Sequence, residues 1–382
     1  MLRVAHIDHT VEPGGAEIAL RRLLEGEPGW HARVFVPPSE HGLGEYAALG
    51  AGPVHVVGVP QRAGAAAATP GAMLGMLGGV LVQAVALRMS RDFRRSGVVH
   101  ANTSRAALIG ALATAGSRRR LVVHLRDAVD AGALGRQGAR AMRFALRRAD
   151  GVIANSRYTL RSAERWIRDG AGVAVIPSTT GHDGTRARAP LRDAVRTVGI
   201  LARLTPWKGQ AEVIRAFAEA FPGSDVRLQI AGSAAFGEAA FEHDLRRLVT
   251  ELGVADRVDF LGQVGDIWPL VDGWDVCVQA STRPEPLGQN VLQYLAAARP
   301  TIVAGAGGPL EWVEDGETGL VVAMGDERGL ARAMRRLADD AGLRQRLHRT
   351  LVERRPVRPD ADIVGAHAEL FSSVAAGRRP GS

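Results

Sequence analysis

Cysteine and lysine are nearly absent from this chain of 382 residues. The single cysteine, Cys277, excludes an intramolecular disulfide and a set of thiolate metal ligands, and it is typical of a reducing compartment. The single lysine, Lys208, stands against 47 arginines. A compact ammonium makes a point contact with a phosphate, whereas a planar guanidinium needs more room. The position of this lysine therefore marks a candidate site.

Aromatic residues make up only 5% of the chain, and they are not interleaved with basic residues. The net charge of +8 comes from arginines that are spread over the whole length. This pattern does not indicate a nucleic-acid surface, which gathers basic side chains on one face. Three interpretations stay open: solvated surface charge, contact with an anionic membrane face, and binding of a phosphorylated small molecule.

A secretion signal is not evident in the first residues. Residues 2–8 form an apolar run that is typical of a buried strand, and no basic segment or cleavage site precedes it. The sequence therefore predicts a cytoplasmic protein.

Residues 70–89 are almost uncharged and about as long as a membrane span. Four glycines, Gln83 and several alanines make the segment weakly hydrophobic for that role. We predict a buried or interface helix, with peripheral contact at a membrane surface as the alternative.

Short apolar runs alternate with helical patterns in both halves, which indicates βαβ units and parallel sheets of the α/β class. The length suits two domain cores. We predict a first domain over 1–185, a second over 190–355, and a helix within 356–382 that crosses back to the first. Ser178–Pro190, which is rich in glycine, threonine and charge, is the predicted linker. The predicted strands are Leu2–Asp8, Ala32–Val36, Val98–His100, Leu121–His124, Gly151–Ala154, Val195–Leu201, Val226–Ala231, Arg257–Phe260, Val276–Ala280, Thr301–Ala304 and Leu320–Val322.

Open α/β sheets bind ligands at the carboxyl ends of their strands. After the first predicted strand, Gly14 and Gly15 open a helix whose free N–H groups suit an anion. The spacing is not that of the dinucleotide fingerprint. The pair is either an anion-binding turn or a tight turn alone.

Arg203 and Lys208 follow the first strand of the second half, with Gly209 beside the lysine. Two cations at a strand-to-helix junction suit a diphosphate, on which negative charge grows as a sugar–phosphate bond breaks. The alternative is a pair of solvated side chains on a loop.

The most specific pattern is EPLGQNVLQYLAAARP over 285–300, followed by GAGGPLE over 305–311. These residues resemble the family 4 glycosyltransferases, whose pattern is Glu-Pro-(Phe/Leu)-Gly, a helix with a second Glu eight positions after the first, and a Gly-Gly-x-x-Glu turn. Residues 203–209, Gly14–Glu17, His124 and Asn155–Arg157 are similar to other motifs of that family. The resemblance covers nearly the whole chain.

The resemblance implies the GT-B fold, in which two Rossmann-like domains with parallel sheets face a central cleft. It also implies a retaining transfer from a UDP- or GDP-linked sugar to a hydroxyl of a glycan or small molecule. Cell-surface glycan and secondary-metabolite biosynthesis are both compatible with it. We expect no metal and no cofactor besides the nucleotide-sugar, because Asp360-Ala361-Asp362 lies far from any strand end and no ligand cluster has metal spacing.

The resemblance also implies roles for the donor-side residues. Glu285 is expected at the hydroxyls of the donor sugar, and the backbone of Leu287 and Gly288 is expected close to the same sugar and the phosphates. Arg203 and Lys208 are expected to clamp the diphosphate.

Four further positions are assigned by the same resemblance. Gly15, next to Gly14, is expected beneath the diphosphate, and His124 is expected at the reacting centre. Glu311 is expected to help place the nucleotide. At the second glutamate of the family pattern this chain has Gln293, whose amide still accepts a hydrogen bond from a ribose hydroxyl but without charge.

Gln293 keeps a second function open, namely a catalytically silent subunit that binds a nucleotide-sugar. Other GT-B chemistry, inverting transfer or nucleotide-sugar epimerisation, is the enzymatic alternative. Retention is implied by the resemblance, since no pair of carboxylates is identifiable as nucleophile and acid.

Overall fold

The structure is a computed structural model that describes residues 1–25, 28–50, 52–60, 70–234 and 238–377, with the backbone alone for 70–74. The chain divides into two compact units, one of Met1–Asp183 with Pro359–Ser382 and one of Gly184–Arg358. The sequence placed these boundaries at 185–190 and 355. Of the predicted last segment, residues 378–382 lie outside the described residues.

Strands and helices alternate along the chain. The strands are β1 (Arg3–Ile7), β2 (His31–Val36), β3 (Val54–Val56), β4 (Val98–Ala101), β5 (Arg120–Leu125), β6 (Gly151–Ala154), β7 (Gly172–Val175), β8 (Thr197–Leu201), β9 (Arg227–Ala231), β10 (Val258–Gly262), β11 (Val276–Gln279), β12 (Thr301–Ala304) and β13 (Leu320–Val322). The helices are α1 (Gly15–Glu25), α2 (Pro70–Met89), α3 (Arg91–Arg95), α4 (Ser104–Thr114), α5 (Ala131–Leu146), α6 (Arg157–Ala163), α7 (Gln210–Ala220), α8 (Ala239–Glu251), α9 (Trp268–Asp272), α10 (Gln289–Ala296), α11 (Glu327–Asp339), α12 (Ala341–Arg354) and α13 (Asp360–Ala375).

The described residues of the first unit form a parallel sheet in the order β3-β2-β1-β4-β5-β6-β7. Alternate residues of each strand face opposite sides of the sheet. One face packs against α2, α4 and α5 through apolar side chains such as Val99 and Val123. The other face is covered by α1 and α13, whose Leu20 and Phe371 are fully buried. The unit is therefore a three-layer α/β/α sandwich, and α13 is one of its layers.

The described residues of the second unit form a parallel sheet in the order β10-β9-β8-β11-β12-β13. Helices α7, α8 and α11 supply the buried side chains of the largest apolar cluster, together with β8 and β9. Helices α9 and α10 belong to separate apolar clusters with β11 and β12. The prediction of two Rossmann-like α/β units is confirmed.

The predicted linker Ser178–Pro190 contains the boundary between the two units, at Asp183 and Gly184, and each of its ends is anchored. Thr179 donates its hydroxyl to the carbonyl of Ala19 at 2.8 Å. The backbone N–H groups of Thr180 and Gly181 each donate to the Asp360 carboxylate at 2.8 Å. Asp360, the first aspartate of the Asp-x-Asp sequence, thus holds this end of the segment on the first unit.

The other end of that segment is held by a buried arginine. Arg299, which is 1% exposed, donates to the carbonyls of Ala189 at 2.6 Å and Pro190 at 3.4 Å. Residue 299, where the family often has glycine, therefore carries a structural side chain in this chain.

Residues 70–89 form the predicted helix, α2. Within the described residues, no helix combines the length and the apolar character that crossing a membrane requires.

Candidate active site

Each sheet has one place where its strand order changes direction, between β1 and β4 in the first unit and between β8 and β11 in the second. Connections leave such a pair of strands on opposite sides, so a crevice opens at their carboxyl ends, where ligands of α/β proteins bind. Glu285 follows β11, and Arg203 and Lys208 follow β8. The predicted donor-side residues therefore lie at the switch point of the second sheet.

The loop after β8 is set by local hydrogen bonds and one glycine. The N–H of Leu201 donates to the Tyr294 hydroxyl at 2.7 Å instead of to a strand, which ends β8 there. Gly209 has φ +80°, and a Cβ at this position would lie 1.9 Å from the carbonyl oxygen of Ala280. Only glycine allows this approach, so residue 209 brings the Lys208 turn against the end of β11.

The loop after β11 is held by a second glycine turn, after β12. The N–H of Gly308 donates to the carbonyl of Glu285 at 2.7 Å. A Cβ at Gly307, where φ is +81°, would lie 2.2 Å from that same oxygen. The Gly-Gly part of the 305–311 motif therefore fixes the backbone of Glu285.

Lys208 and Glu285 form an ion pair, with Nζ 2.6 Å from Oε2. The same carboxylate oxygen accepts a hydrogen bond from the Ser281 hydroxyl at 2.9 Å. Nζ also lies 4.1 Å from the centre of the Trp207 ring, within the range of a cation–π contact. The sequence did not single out Ser281 or Trp207. Their only signal is adjacency to motif residues.

Gly288 is the N-cap of helix α10, and its φ of +78° would be strained for a residue with a side chain. Leu287 is buried in an apolar cluster with Val291 and Leu295, so its side chain is not available to a ligand. Gln293 lies one turn into α10 and is 5% exposed.

The two remaining donor-side residues lie on loops of the same unit. The Arg203 side chain is exposed, and its carbonyl accepts a hydrogen bond from the buried Gln210 amide at 2.8 Å. Glu311 is half-buried at the end of the short turn Gly308–Glu311. The structure thus joins Lys208 to Glu285 directly and places Arg203 on the loop that leads to Lys208.

The switch point of the first sheet holds a polar network around Asp8, which follows β1 and is fully buried. Its carboxylate accepts hydrogen bonds from the Tyr46 hydroxyl and the Asn102 amide, both at 2.6 Å, and from the backbone N–H of His9 at 2.8 Å. Burial alone would raise the pKa of Asp8, but the hydrogen bond and charge of His9, with the other two donors, hold it below its ordinary value. Asp8 is therefore a stable buried carboxylate.

His9 and Arg126 extend this network toward the surface. His9 Nδ1 lies 2.8 Å from the Thr103 hydroxyl, and its side chain is 20% exposed. Arg126, just after β5, donates to the Asn102 side-chain oxygen and to the Ser178 hydroxyl, each at 2.7 Å. Sequence reasoning missed these residues, although their positions immediately after predicted strands were a usable signal.

The predicted anion site at Gly14 and Gly15 is occupied by the protein itself. A Cβ at Gly14 would lie 2.4 Å from Glu17 Oε2, so the Glu17 carboxyl sits over the first turn of α1. Burial and the negative charge of Asp8 raise the pKa of Glu17 well above its ordinary value. A diphosphate can use these N–H groups only if Glu17 moves away.

The assignment of His124 to the reacting centre is wrong for this structure. His124 lies on the face of the sheet that α13 covers, and it is 1% exposed. With His6, His100 and His367 it forms a buried histidine cluster. The three strand histidines lie on this face because side chains alternate along a strand. His6, His100 and His124 each stand two residues after a valine that faces α13, namely Val4, Val98 and Val122.

The hydrogen bonds of the histidine cluster run in one direction. The Trp30 indole N–H donates to His6 Nε2 at 2.9 Å, so a neutral His6 carries its proton on Nδ1. His6 Nδ1 then donates to His100 Nδ1 at 2.9 Å, and His100 Nε2 donates to His124 Nδ1 at 3.2 Å. Burial lowers the pKa of His6 to about 3 and of His367 to about 4, and lowers those of His100 and His124 well below their ordinary value. All four rings are neutral at pH 7.

Among the described residues, one group of ligand-type side chains lies close enough to hold a metal, namely Asp8, His9 and Glu17, with atoms within 4.8 Å of one another. The chemistry of the group fits a metal poorly. Both Asp8 oxygens already accept hydrogen bonds, and the raised pKa of Glu17 favours its neutral acid. The group is better described as a hydrogen-bonded network.

Two family profiles match the chain, each over one unit. The profile described as "Glycosyl transferase 4-like domain" matches residues 14–179, and the one described as "Glycosyl transferases group 1" matches residues 184–351. Their limits fall within a few residues of the boundary at 183 and 184.

Curated relatives match over part of their length. The lipopolysaccharide core biosynthesis glycosyltransferase LpsE of Rhizobium meliloti is 39% identical over 120 residues, which are 30% of this chain and 35% of that protein. LpsD of the same organism is 36% identical over 197 residues, 50% of this chain and 54% of that protein. The matched part of the chain therefore spans between about a third and about half of these relatives.

Solved structures match over nearly the whole chain. Anabaena HepE, crystallised with UDP and glucose, is 27% identical, with a TM-score of 0.81 over 98% of this chain and 100% of that one. Sucrose-phosphate synthase of Thermosynechococcus elongatus, 20% identical with a TM-score of 0.79 over 98% and 100%, shares the fold. Two matching profiles, two parallel-sheet units and the motifs at residues 203–209 and 285–311 lead to one conclusion: the chain belongs to the family 4 glycosyltransferases.

Proposed function

We propose that this protein is a retaining, metal-independent glycosyltransferase that moves a sugar from a UDP- or GDP-linked donor to a hydroxyl of a cell-surface glycan. The observation that carries the proposal is the Lys208–Glu285 pair at the switch point of the second sheet. A second crystal structure of HepE is a complex with UDP-glucose, which supports a nucleotide-sugar donor. Relatives named for lipopolysaccharide core biosynthesis support a glycan acceptor.

In the proposed reaction, the donor separates the Lys208–Glu285 pair. The Lys208 ammonium, with the exposed guanidinium of Arg203, turns to the diphosphate, and the Glu285 carboxylate accepts hydrogen bonds from sugar hydroxyls. The bond between the anomeric carbon and the phosphate oxygen breaks, and negative charge grows on the diphosphate next to the two cations. The acceptor oxygen bonds to the same face of that carbon, and its proton passes to a donor phosphate oxygen.

The acceptor is proposed to bind at the switch point of the first sheet. His9 is partly exposed there and is oriented by Thr103 and by the buried carboxylate of Asp8. Such a polar, partly open edge suits the hydroxyl groups of a sugar.

The proposal is tested with the purified chain and a panel of UDP- and GDP-sugars, with EDTA present throughout. We expect one nucleotide-sugar to raise the melting temperature, since a ligand at a hundred times its Kd stabilises by about 2.7 kcal/mol. With a glycan acceptor, NMR of the product is expected to show the anomeric configuration of the donor.

Each alternative gives a different result in this experiment. Inverted product would overturn retention, and conversion of the donor without any acceptor would favour an epimerase. Binding without turnover would favour the silent subunit, and activity that disappears in EDTA and returns with a divalent cation would overturn metal independence.

Gln293→Glu is expected to tighten UDP binding about fivefold. A carboxylate at this buried position of α10 gives a charge-assisted hydrogen bond to a ribose hydroxyl, stronger than that of an amide by about 1 kcal/mol. Calorimetric titration with UDP measures the change. Gln345→Glu, the same substitution at an exposed position of α12 in the same unit, is the matched control and is expected to leave the affinity within about twofold. Equal affinity of the Gln293→Glu variant and the unaltered protein would contradict the ribose assignment.

A further inference from the structure

Helix α2 is apolar on two opposite sides, and among the described residues only one of these sides is covered. Its inner stripe consists of Val80, Ala84 and Leu87, which are at most 2% exposed and belong to the apolar cluster shared with α4 and the first sheet. Buried Gln83 adds a hydrogen bond to the carbonyl of Val57 at 2.9 Å. The helix is therefore fixed to the first unit along its inner side.

The outer face of α2 consists of Leu77, Leu81, Val82, Val85 and Met89. Each of these side chains is between 47% and 72% exposed. Residues 77, 81 and 85 are spaced four apart, so they form one stripe along the helix. Single exposed apolar side chains are ordinary, but a continuous apolar stripe on one helix indicates a surface that binds something.

Arginines lie at the end of this stripe. Arg88 is exposed at the end of α2 and donates to the carbonyl of Ala115 at 2.7 Å. Arg119 donates to the carbonyl of Arg94 on α3 at 2.8 Å. Burial and, to a smaller extent, the positive charges of Arg88 and Arg94 lower the pKa of Arg119.

Arg91 and Arg95 are also exposed on the short helix α3, next to this group. Of the charged residues over 86–95, four are arginine and one is Asp92. The outer face of α2 therefore continues into a basic surface. This combination of an apolar stripe with an arginine-rich end is complementary to a lipid surface that carries negative headgroups.

We propose that the outer face of α2 docks this protein on an anionic lipid membrane. The helix lies in the plane of the interface, with Leu77, Leu81 and Val85 among the acyl chains. Its inner stripe stays packed against α4. The arginines at residues 88, 94 and 119 contact lipid phosphates. This inference does not depend on the sugar-transfer reaction, because none of these residues lies at either switch point.

The proposal is tested by flotation of the full-length protein with vesicles of phosphatidylcholine alone and of phosphatidylcholine mixed with phosphatidylglycerol. We expect the protein to float with the mixed vesicles at low salt, and to float much less with them at about 0.5 M salt, where charges are screened. The double variant Leu81→Gln/Val85→Gln is expected to lower binding at least tenfold. Arg88→Gln/Arg94→Gln is expected to remove the preference for phosphatidylglycerol.

The matched control is Leu252→Gln/Leu261→Gln, which changes two apolar side chains of the second unit that are 38% and 37% exposed. It is expected to float like the unaltered protein. Thermal melting checks that each variant is folded.

Three results would overturn the proposal. The first is absence of flotation by the unaltered protein, and the second is equal flotation of the Leu81→Gln/Val85→Gln variant. The third is a dimer that this double variant dissociates without any vesicle binding, since that would assign the face to a second copy of the chain.

Discussion

Lys208→Met is expected to lower kcat for sugar transfer by about 10²-fold or more, while the donor still binds. Removing one hydrogen-bond donor that stabilises growing negative charge in a transition state costs roughly 2.7–4 kcal/mol. The Nζ of Lys208 is 2.6 Å from Oε2 of Glu285, at the edge where the donor is proposed to bind. Steady-state kinetics with saturating donor measure the effect. A loss below about tenfold, or 1.4 kcal/mol, would contradict the role of the lysine at the diphosphate.

Three variants separate this effect from simple destabilisation. Lys208→Met leaves the Glu285 carboxylate, whose side chain is 9% exposed, without its cation, so the double variant with Glu285→Gln removes that penalty. Lys208→Arg keeps the charge but exchanges the ammonium for a planar fork, and partial recovery is expected. Arg227→Met breaks an ion pair of the same length, 2.6 Å to Asp259, at the amino end of β9. Its pair is exposed and is expected to change kcat by less than about twofold.

Acidification below pH 6.5 is expected to unfold the first unit steeply. The pKa values of His6, His100, His124 and His367 are lowered in the folded state by burial, while the unfolded chain titrates near the ordinary value of 6.5. The unfolded state therefore binds more protons below pH 6.5, and the free energy of unfolding falls as the pH falls. Four protons correspond to about 5 kcal/mol per pH unit.

One carboxyl opposes this trend. The pKa of Glu17 is raised in the folded state, so between its ordinary value of 4.5 and its folded pKa the folded protein holds one extra proton. The net slope in that range is about 4 kcal/mol per pH unit. Above pH 7 the histidine contribution is fully present and stability is expected to be flat with respect to these four groups.

Urea unfolding at several pH values between 5 and 8 measures this slope. His367→Leu is expected to lower this slope by the contribution of one proton, about 1.4 kcal/mol per pH unit. Among the described residues the His367 ring hydrogen-bonds to the carbonyl of Ile363 in its own helix, at 2.8 Å, so the other three rings keep their hydrogen bonds in this variant. His41→Leu is the control, since that side chain is 59% exposed and lies outside the cluster. A free energy of unfolding that stays constant from pH 7 to pH 5 would show that the buried rings accept protons without loss of the fold.

Much of the fold followed from local pattern. Strand β1 was predicted as Leu2–Asp8 and is Arg3–Ile7, and α2 was predicted and found over residues 70–89. Periodicity was sufficient there because the apolar runs are long. It missed the strands β3 (Val54–Val56) and β7 (Gly172–Val175) and the helix α12 (Ala341–Arg354), the strands because three or four residues carry too little pattern. In α12 polar and charged residues outnumber apolar ones, and tertiary packing of Leu343 and Leu347 stabilises the helix.

The site was predictable only where the residues that meet are close to a motif. Lys208 and Glu285 were both placed at strand ends, and their contact follows from the adjacency of β8 and β11. His6, His100 and His124 could not be joined from sequence, because their meeting depends on the strand order β1-β4-β5 and on which face of each strand points to α13. The role of Arg299 was equally hidden, since two of its partners, the carbonyls of Ala189 and Pro190, lie over a hundred positions earlier.

The contribution of α13 to the first unit has a consequence during protein synthesis. The histidine-bearing face of that sheet is covered by Phe371 and Leu370, which the ribosome adds only after the entire second unit. At about 5–20 residues per second, that delay is on the order of ten seconds or more. Throughout this interval the apolar face that α13 later covers stays exposed on the nascent first unit. We therefore expect a chaperone that acts at the ribosome to bind this half of the chain.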